Sequence, residues 1–501
     1  MIAARSQQNT ARAGLMQTQV PNQPKTIMLQ RSLSTPGRRM TASPANARAA
    51  ASGGVDQLPP GIWKIVTVAA IGSFMAQLDA TVVNVSLATL AKDLHVTLPL
   101  IQWVMSGYLL ALALTLPLNG WLVSRAGAKS VYLWCFAAFS LSSLLCGLAW
   151  SAQSLIAFRI LQGMSGGLLA PMAQMLVARA AGKHLPRVAA AMTMPILLAP
   201  LLGPIAAGAI LQYASWRWLF LINLPVGIIA VILAATFLPD DRSEMRPRSL
   251  DLQGLALLSP GVALLLYSMD HLAAPIGAVS CAAAIILLAL YYRSARRKGD
   301  AALIDLRLLR RPVFAAAITT MFLLNGVAYA GQMLIPIYLV HSCGLSPSRA
   351  GWLLIPLGLG AMCLYPFMGR LTGRFGIRKL TNFGALLALA GTLPLIFLAG
   401  HKLQVAILVP CLFLRGAGGS AIGIPAMSAG YASVARDELP MATTALNIVQ
   451  RLGGPTCTTL CAIVLGWSLP ASGTLMAPFA LLSALHAVLF VATLLLPITM
   501  K

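Results

Sequence analysis

From Trp63 onward the chain is a series of long apolar runs separated by short polar loops. That pattern leaves few folds open. Fourteen runs of roughly 18–28 residues fall between residues 63 and 497, each long enough as a helix to cross about 30 Å of hydrocarbon. A backbone inside a bilayer has no water to bond with, so a spanning segment is a helix or part of a closed barrel. Runs of this length predict helices, and hence an all-α polytopic membrane protein of about 14 transmembrane helices. Charged residues make up 10% of the chain and hydrophobic residues 58%, whereas soluble domains carry about 25% charge. The fifth run covers 188–212. A closely spaced pair, 252–270 and 274–292, follows the sixth.

The 36 Lys and Arg residues give a net charge of +24. No nucleic-acid partner follows from this, because the basic residues sit in loops and in the amino-terminal arm. Counted along the runs, most of them fall on one side. Lys92, Arg217, Arg349 and Lys402 fall on the other, and Arg159, Arg415 and Arg451 lie inside runs. Cytoplasmic loops are the Lys/Arg-rich ones, so both termini are expected inside. Residues 1–60 are basic and polar, with no acid before Asp56. They lack an apolar core of signal-peptide length and read as a disordered cytoplasmic arm, or as sequence ahead of a start at Met40. The remainder divides into a bundle over 61–240, the inserted pair with its linkers over 241–300, and a second bundle over 301–501. Eight scattered cysteines include no CxxC, so neither a metal nor a cofactor is expected.

Of twelve acidic residues, Asp79 alone lies deep inside a run, in LDATVVNV (78–85). An ionised acid there costs about 2.5–3.5 kcal/mol on insertion scales. Two readings fit: a proton-coupling carboxylate, or a structural hydrogen-bond acceptor between helices. Arg159 in the fourth run, with Gln162 at i+3 on a similar face, either faces the bundle interior or a wet cavity, or caps carbonyls and reaches the interface by snorkelling. Gln162, Gln174, Asn325, Gln332, Asn447 and Arg451 are polar groups in apolar surroundings. Each either lines a substrate cavity or bonds one helix to another. Gly163 and Gly167, like Gly419 and Gly423, form GxxxG pairs that let helices approach closely. Gly203, Pro204 and Gly208 would kink and thin the fifth run. GMSGG (163–167) also fits G-x-S-x-G, which would make Ser165 the nucleophile of an intramembrane hydrolase if a base and an oxyanion site stood beside it.

The loop after the second run, GWLVSRAGAK (120–129), recurs after the tenth as GRLTGRFGIR (369–378). Both fit G-x-L-x-x-R-x-G-x-[KR]: Gly120, Arg125, Gly127 and Lys129 correspond to Gly369, Arg374, Gly376 and Arg378. A loop repeated at equivalent places marks an internally duplicated transporter.

With these motifs the chain resembles the fourteen-span drug:proton antiporters of the major facilitator superfamily, the EmrB/QacA type. The doubled loop resembles motif A and LDATVVNV the first-helix motif. RILQGMSGGLLAP (159–171) resembles motif B, GPIAAG (203–208) motif C, and WRWLFLINLPVG (216–227) the signature entering the sixth helix. Ser124 and Gly373 stand where motif A usually has an acid, and Ala207 replaces a motif C glycine. The resemblance implies two six-helix bundles plus an inserted helix pair in a bacterial inner membrane. It also implies proton-driven export of amphipathic, apolar or cationic small molecules, with Asp79 and Arg159 moving the proton. A periplasmic adaptor and an outer-membrane channel would be further partners. The alternatives are a dedicated exporter of one endogenous metabolite or lipid, and the Ser165 hydrolase.

Overall fold

The structure, a computed structural model, describes residues 58–241, 249–271, 274–472 and 474–498. Residues 1–57 of the expected arm lie outside them. The described residues form helices joined by short turns, without a strand. α1 (Ile62–Asp93), α2 (Leu98–Thr115), α3 (Asn119–Ala126), α4 (Ala128–Gly147), α5 (Ala152–Ala181), α6 (Leu185–Tyr213) and α7 (Asn223–Phe237) come first. α8 (Leu252–Asp270) and α9 (Pro275–Lys298) follow, and then α10 (Pro312–Ile337), α11 (Pro347–Leu364), α12 (Met368–Phe375) and α13 (Ile377–Ala399). α14 (Val405–Ala432), α15 (Leu439–Ser472) and α16 (Met476–Leu494) complete the chain.

Thirteen helical segments among the described residues are long and apolar enough to span a bilayer. The fifth run of the sequence, uncharged over 188–212, is a further long apolar helix. It lies within α6, a helix of 29 residues, which at 1.5 Å per residue reaches about 43 Å.

α1 packs on α5 and α6, α2 on α5, and α4 on α5 and α7. In the second bundle α13 packs on α14 and α16, α10 on α15, and α11 on α14. α8 and α9 pack on each other, and α8 also touches α2 and α15, one helix from each bundle.

The duplication is visible in the backbone. α2 tightens into a 3₁₀ turn at Leu116–Leu118 before α3, and α11 does so at Tyr365–Phe367 before α12. Each turn has a proline at its centre, Pro117 and Pro366. Proline lacks the N–H that an α-turn requires, so the same residue produces the same break twice. Gly127 and Gly376 then end α3 and α12 at φ 79° and 77°, a region that only glycine enters without strain.

Close helix contacts follow the glycines in part. A Cβ on Gly163 would strike the Tyr108 backbone, and one on Gly167 would lie 2.7 Å from the Leu112 carbonyl oxygen, so this GxxxG seats α5 on α2. The second pair behaves differently. Gly419 faces open space, and Gly416 and Gly418 make the backbone contacts, with Leu357 and Gly384. In α6, Gly203 abuts Thr81 of α1, while Gly208 meets nothing. The helix passes through Pro204 unbroken.

Candidate functional site

Asp79 and Arg159 are an ion pair. Arg159 Nη1 lies 2.6 Å from Asp79 Oδ2, and both side chains are fully buried. Five helices or their lead-in turns supply what surrounds them. Gln162, one turn after Arg159 in α5, donates to Asp79 Oδ1 at 3.1 Å and accepts from Arg159 Nη1 at 2.7 Å. Asn223, at the start of α7, donates to the same Oδ1 at 2.8 Å. Ser143 of α4 accepts from the Gln162 and Asn223 amides at 2.9 and 3.0 Å and donates to the Phe220 carbonyl. On the α2 side, Arg159 Nε donates to the Val104 carbonyl at 3.2 Å, and its guanidinium lies 4.2 Å from the Tyr108 ring centre.

The carboxylate therefore receives three donors, and the guanidinium has a counter-charge, two further acceptors and an aromatic face. Two charges out of water are tolerable only under such satisfaction. Breaking a buried pair by removing one partner typically costs about 3–5 kcal/mol. The sequence pointed to Asp79, Arg159 and Gln162. It drew attention to Asn223 only as part of WRWLFLINLPVG and gave no reason to single out Ser143, because one hydroxyl in an apolar run is an ordinary helix contact.

At the repeated loop the acid missing from Ser124 comes from elsewhere. Asp241, just beyond α7, accepts from the backbone N–H groups of Ala128 at 2.6 Å and Lys129 at 3.4 Å, at the start of α4. It also lies 3.5 Å from Arg179 of α5. Lys129 Nζ donates to the Leu238 carbonyl at 2.8 Å. In the second copy the N–H groups of Ile377 and Arg378 donate to the carbonyls of Ile498 and Pro497, each at 3.1 Å. Arg378 Nε donates to the Leu496 carbonyl at 2.6 Å. Each helix start is thus capped by the segment leaving the last helix of its own bundle, by a carboxylate in one copy and by carbonyls in the other. Arg125 and Arg374 are exposed and lie over the rings of Trp121 and Phe375.

The bundles meet at this same end. Asn119 donates to Thr444 Oγ1 at 3.2 Å. Gln174 Oε1 accepts from Asn447 at 2.8 Å and from the Tyr431 hydroxyl at 2.9 Å. Gly120 faces Met441, and Gly369 faces the Arg187 backbone. Gln174 and Asn447 thereby join the two bundles. Asn325 is half-buried and Gln332 exposed on α10. Ser165 donates to its own helix at the Gln162 carbonyl, and no base bonds to it among the described residues.

The family model of the Major Facilitator Superfamily matches residues 69–458. The chain is 34% identical over 418 residues to the multidrug resistance protein B homolog of Mycobacterium tuberculosis, covering 82% of this chain and 77% of that one. It is 34% identical over 331 residues to the protein MdtD of Salmonella newport, covering 63% and 68%. Among solved structures it superposes on the human organic anion transporter MFSD10 with a TM-score of 0.60 at 17% identity, covering 87% of this chain and all of that one. On the proton:xylose symporter XylE the TM-score is 0.60 at 15% identity, covering 86% and 94%. At those identities the likeness speaks for the fold alone. With two helical bundles, a loop and its proline turn copied between them, and a family match spanning both, the chain belongs to the major facilitator superfamily.

Proposed function

We propose that this protein exports amphipathic small molecules across a bacterial inner membrane in exchange for protons, as a multidrug efflux antiporter with both termini cytoplasmic. One observation carries the reading: the membrane-embedded Asp79–Arg159 pair, tied through Gln162, Asn223 and Ser143 to α1, α4, α5 and α7. The names of the relatives, multidrug resistance proteins, support the substrate class. The Lys/Arg asymmetry of the loops supports the orientation.

Protonating Asp79 neutralises the carboxylate and dissolves the ion pair. The three donors around it then lose their anionic acceptor, and Arg159 needs another partner. Proton uptake is therefore also a rearrangement at the junction of four helices. In this conformation Asp79 is sealed from solvent and held by Arg159, so proton and substrate exchange through movement of the bundles and not by competing for one carboxylate. A proton moving down 100 mV supplies about 2.3 kcal/mol per charge. The end that carries the repeated loops, cytoplasmic by the charge rule, is closed by Gln174, Asn447, Asn119 and Thr444. Beyond substrate, proton and bilayer, an adaptor and an outer-membrane channel are the partners such an exporter would feed.

The test is substrate-induced proton release from purified protein in detergent. Wild type should release protons and Asp79→Asn should not. Equal release from both would remove Asp79 from the coupling.

A further inference from the structure

Between Pro312 and Lys501 the only acidic residues are Asp437 and Glu438, both in the turn between α14 and α15. Glu438 is engaged by Arg311 through paired bonds of 2.6 and 2.7 Å. The spans of the second bundle therefore contain no carboxylate, yet they contain two arginines. Arg415 in α14 is 6% exposed. Its Nη2 donates to the Val327 carbonyl at 2.5 Å, and its buried Nη1 has no partner. Arg451 in α15 is half-buried, within electrostatic reach of Tyr108 on α2 and Tyr329 on α10. Its Nε is buried and unpartnered, and it makes no ion pair among the described residues.

The contrast with the first bundle is specific. Arg159, Gly163 and Gly167 in α5 recur as Arg415, Gly419 and Gly423 in α14, 256 positions on. In the first bundle the arginine meets Asp79. In the second its guanidinium packs against Gly331, which has no side chain to offer. One copy of the arrangement holds its own counter-charge and the other does not. A guanidinium out of water without an anion is costly, and an oxyanion brought to it gains strong, directional hydrogen bonds.

Resting on the export reading above, we propose that the exported molecules are amphipathic organic anions. Their carboxylate, sulfonate or phosphate group is received by Arg451 at the seam between the bundles, with Arg415 as a fixed positive charge deeper in the second bundle. Tyr329, exposed on α10, supplies aromatic surface for the apolar part. Asp79 is already neutralised by Arg159, so it does not repel such a substrate.

The purified full chain is titrated calorimetrically with naphthylacetate, its neutral amide and a naphthylmethyl quaternary amine, and the same compounds are followed in proteoliposomes under a pH gradient. The carboxylate should bind more tightly than either analogue by about tenfold or more, the worth of one charge-assisted contact. Arg451→Gln should erase that preference while leaving amide affinity unchanged, and Arg451→Lys, which keeps the charge, should retain it. Thermal unfolding of both variants verifies that they are folded. Preference for the amine or amide, or carboxylate affinity unchanged in Arg451→Gln, overturns the anion proposal. Gradient-driven flux of any of the compounds would then leave export standing. No flux of any compound from folded protein overturns export, and the anion proposal with it.

Discussion

Asp79 and Arg159 are worth more as a pair than either is alone. Asp79→Asn keeps an acceptor for Asn223 and Gln162 but strands a fully buried guanidinium, so it should lower stability by about 3–5 kcal/mol as well as abolish proton coupling. The double variant Asp79→Asn/Arg159→Gln removes both charges and should recover most of that stability without recovering coupling. Thermal unfolding in detergent beside proton-release measurements separates the two effects, and an additive double variant would show that the pair is not coupled. This residue scale was only half legible in the sequence. An acid inside an apolar run announces itself, and so does an arginine with a glutamine one turn later. Ser143 carries no such mark, and Asn223 stands out only as a member of WRWLFLINLPVG. They matter because α4 and α7 bring them to the same carboxylate oxygen's surroundings, which is a tertiary fact.

Among the helices, glycines that look alike in sequence separate by environment. Gly163→Ala forces a methyl into the Tyr108 backbone and should cost about 1–3 kcal/mol, as overpacking does, whereas Gly419→Ala enters open space and should be near neutral. Equal unfolding temperatures for the two variants would contradict the packing described. The element scale was legible because a bilayer fixes helix length, and the repeated loop was legible because two left-handed glycines and a basic residue recur in register. The cap of α4 was not. Asp241 lies 113 positions from the N–H it accepts, so the acid absent from Ser124 read as a loss. The inserted pair offers a pH test. Asp251 precedes α8 and accepts from Lys298, Gly254 N–H and Leu303 N–H. Burial pushes its carboxyl up, but these bonds outweigh it and hold the group below the usual carboxylate range. Its contribution is therefore complete above about pH 3.9, the unfolded value, and is lost as pH falls through the lower folded value. Asp251→Asn should raise hydrogen exchange around Leu303 at neutral pH, and the wild type should follow only in stronger acid.

For the whole molecule, transport requires the bundles to part at the end they now close. Small residues make that closure: Gly120 has its Cβ position 3.2 Å from Met441 Cγ, and Gly369 faces the Arg187 backbone across the seam. Bulk at either position wedges the end open without touching Asp79, Arg159 or Arg451. Gly120→Trp should therefore abolish flux while the protein still binds substrate, and hydrogen exchange should rise at the starts of α3 and α15, where Asn119 now bonds Thr444. Gly373→Trp is the control, because Gly373 sits in the same repeated loop with nothing within 4 Å of its Cβ position, and it should transport normally. Full flux in Gly120→Trp would mean that the contacts among Asn119, Gln174, Asn447 and Thr444 do not form the closing surface of the cycle. Loss in both variants would trace the effect to the loop itself. The prediction turns on two glycines of the repeated loop, Gly120 at its first place in one copy and Gly373 four places further on in the other, and it is the packing of one bundle on the other that sets them apart.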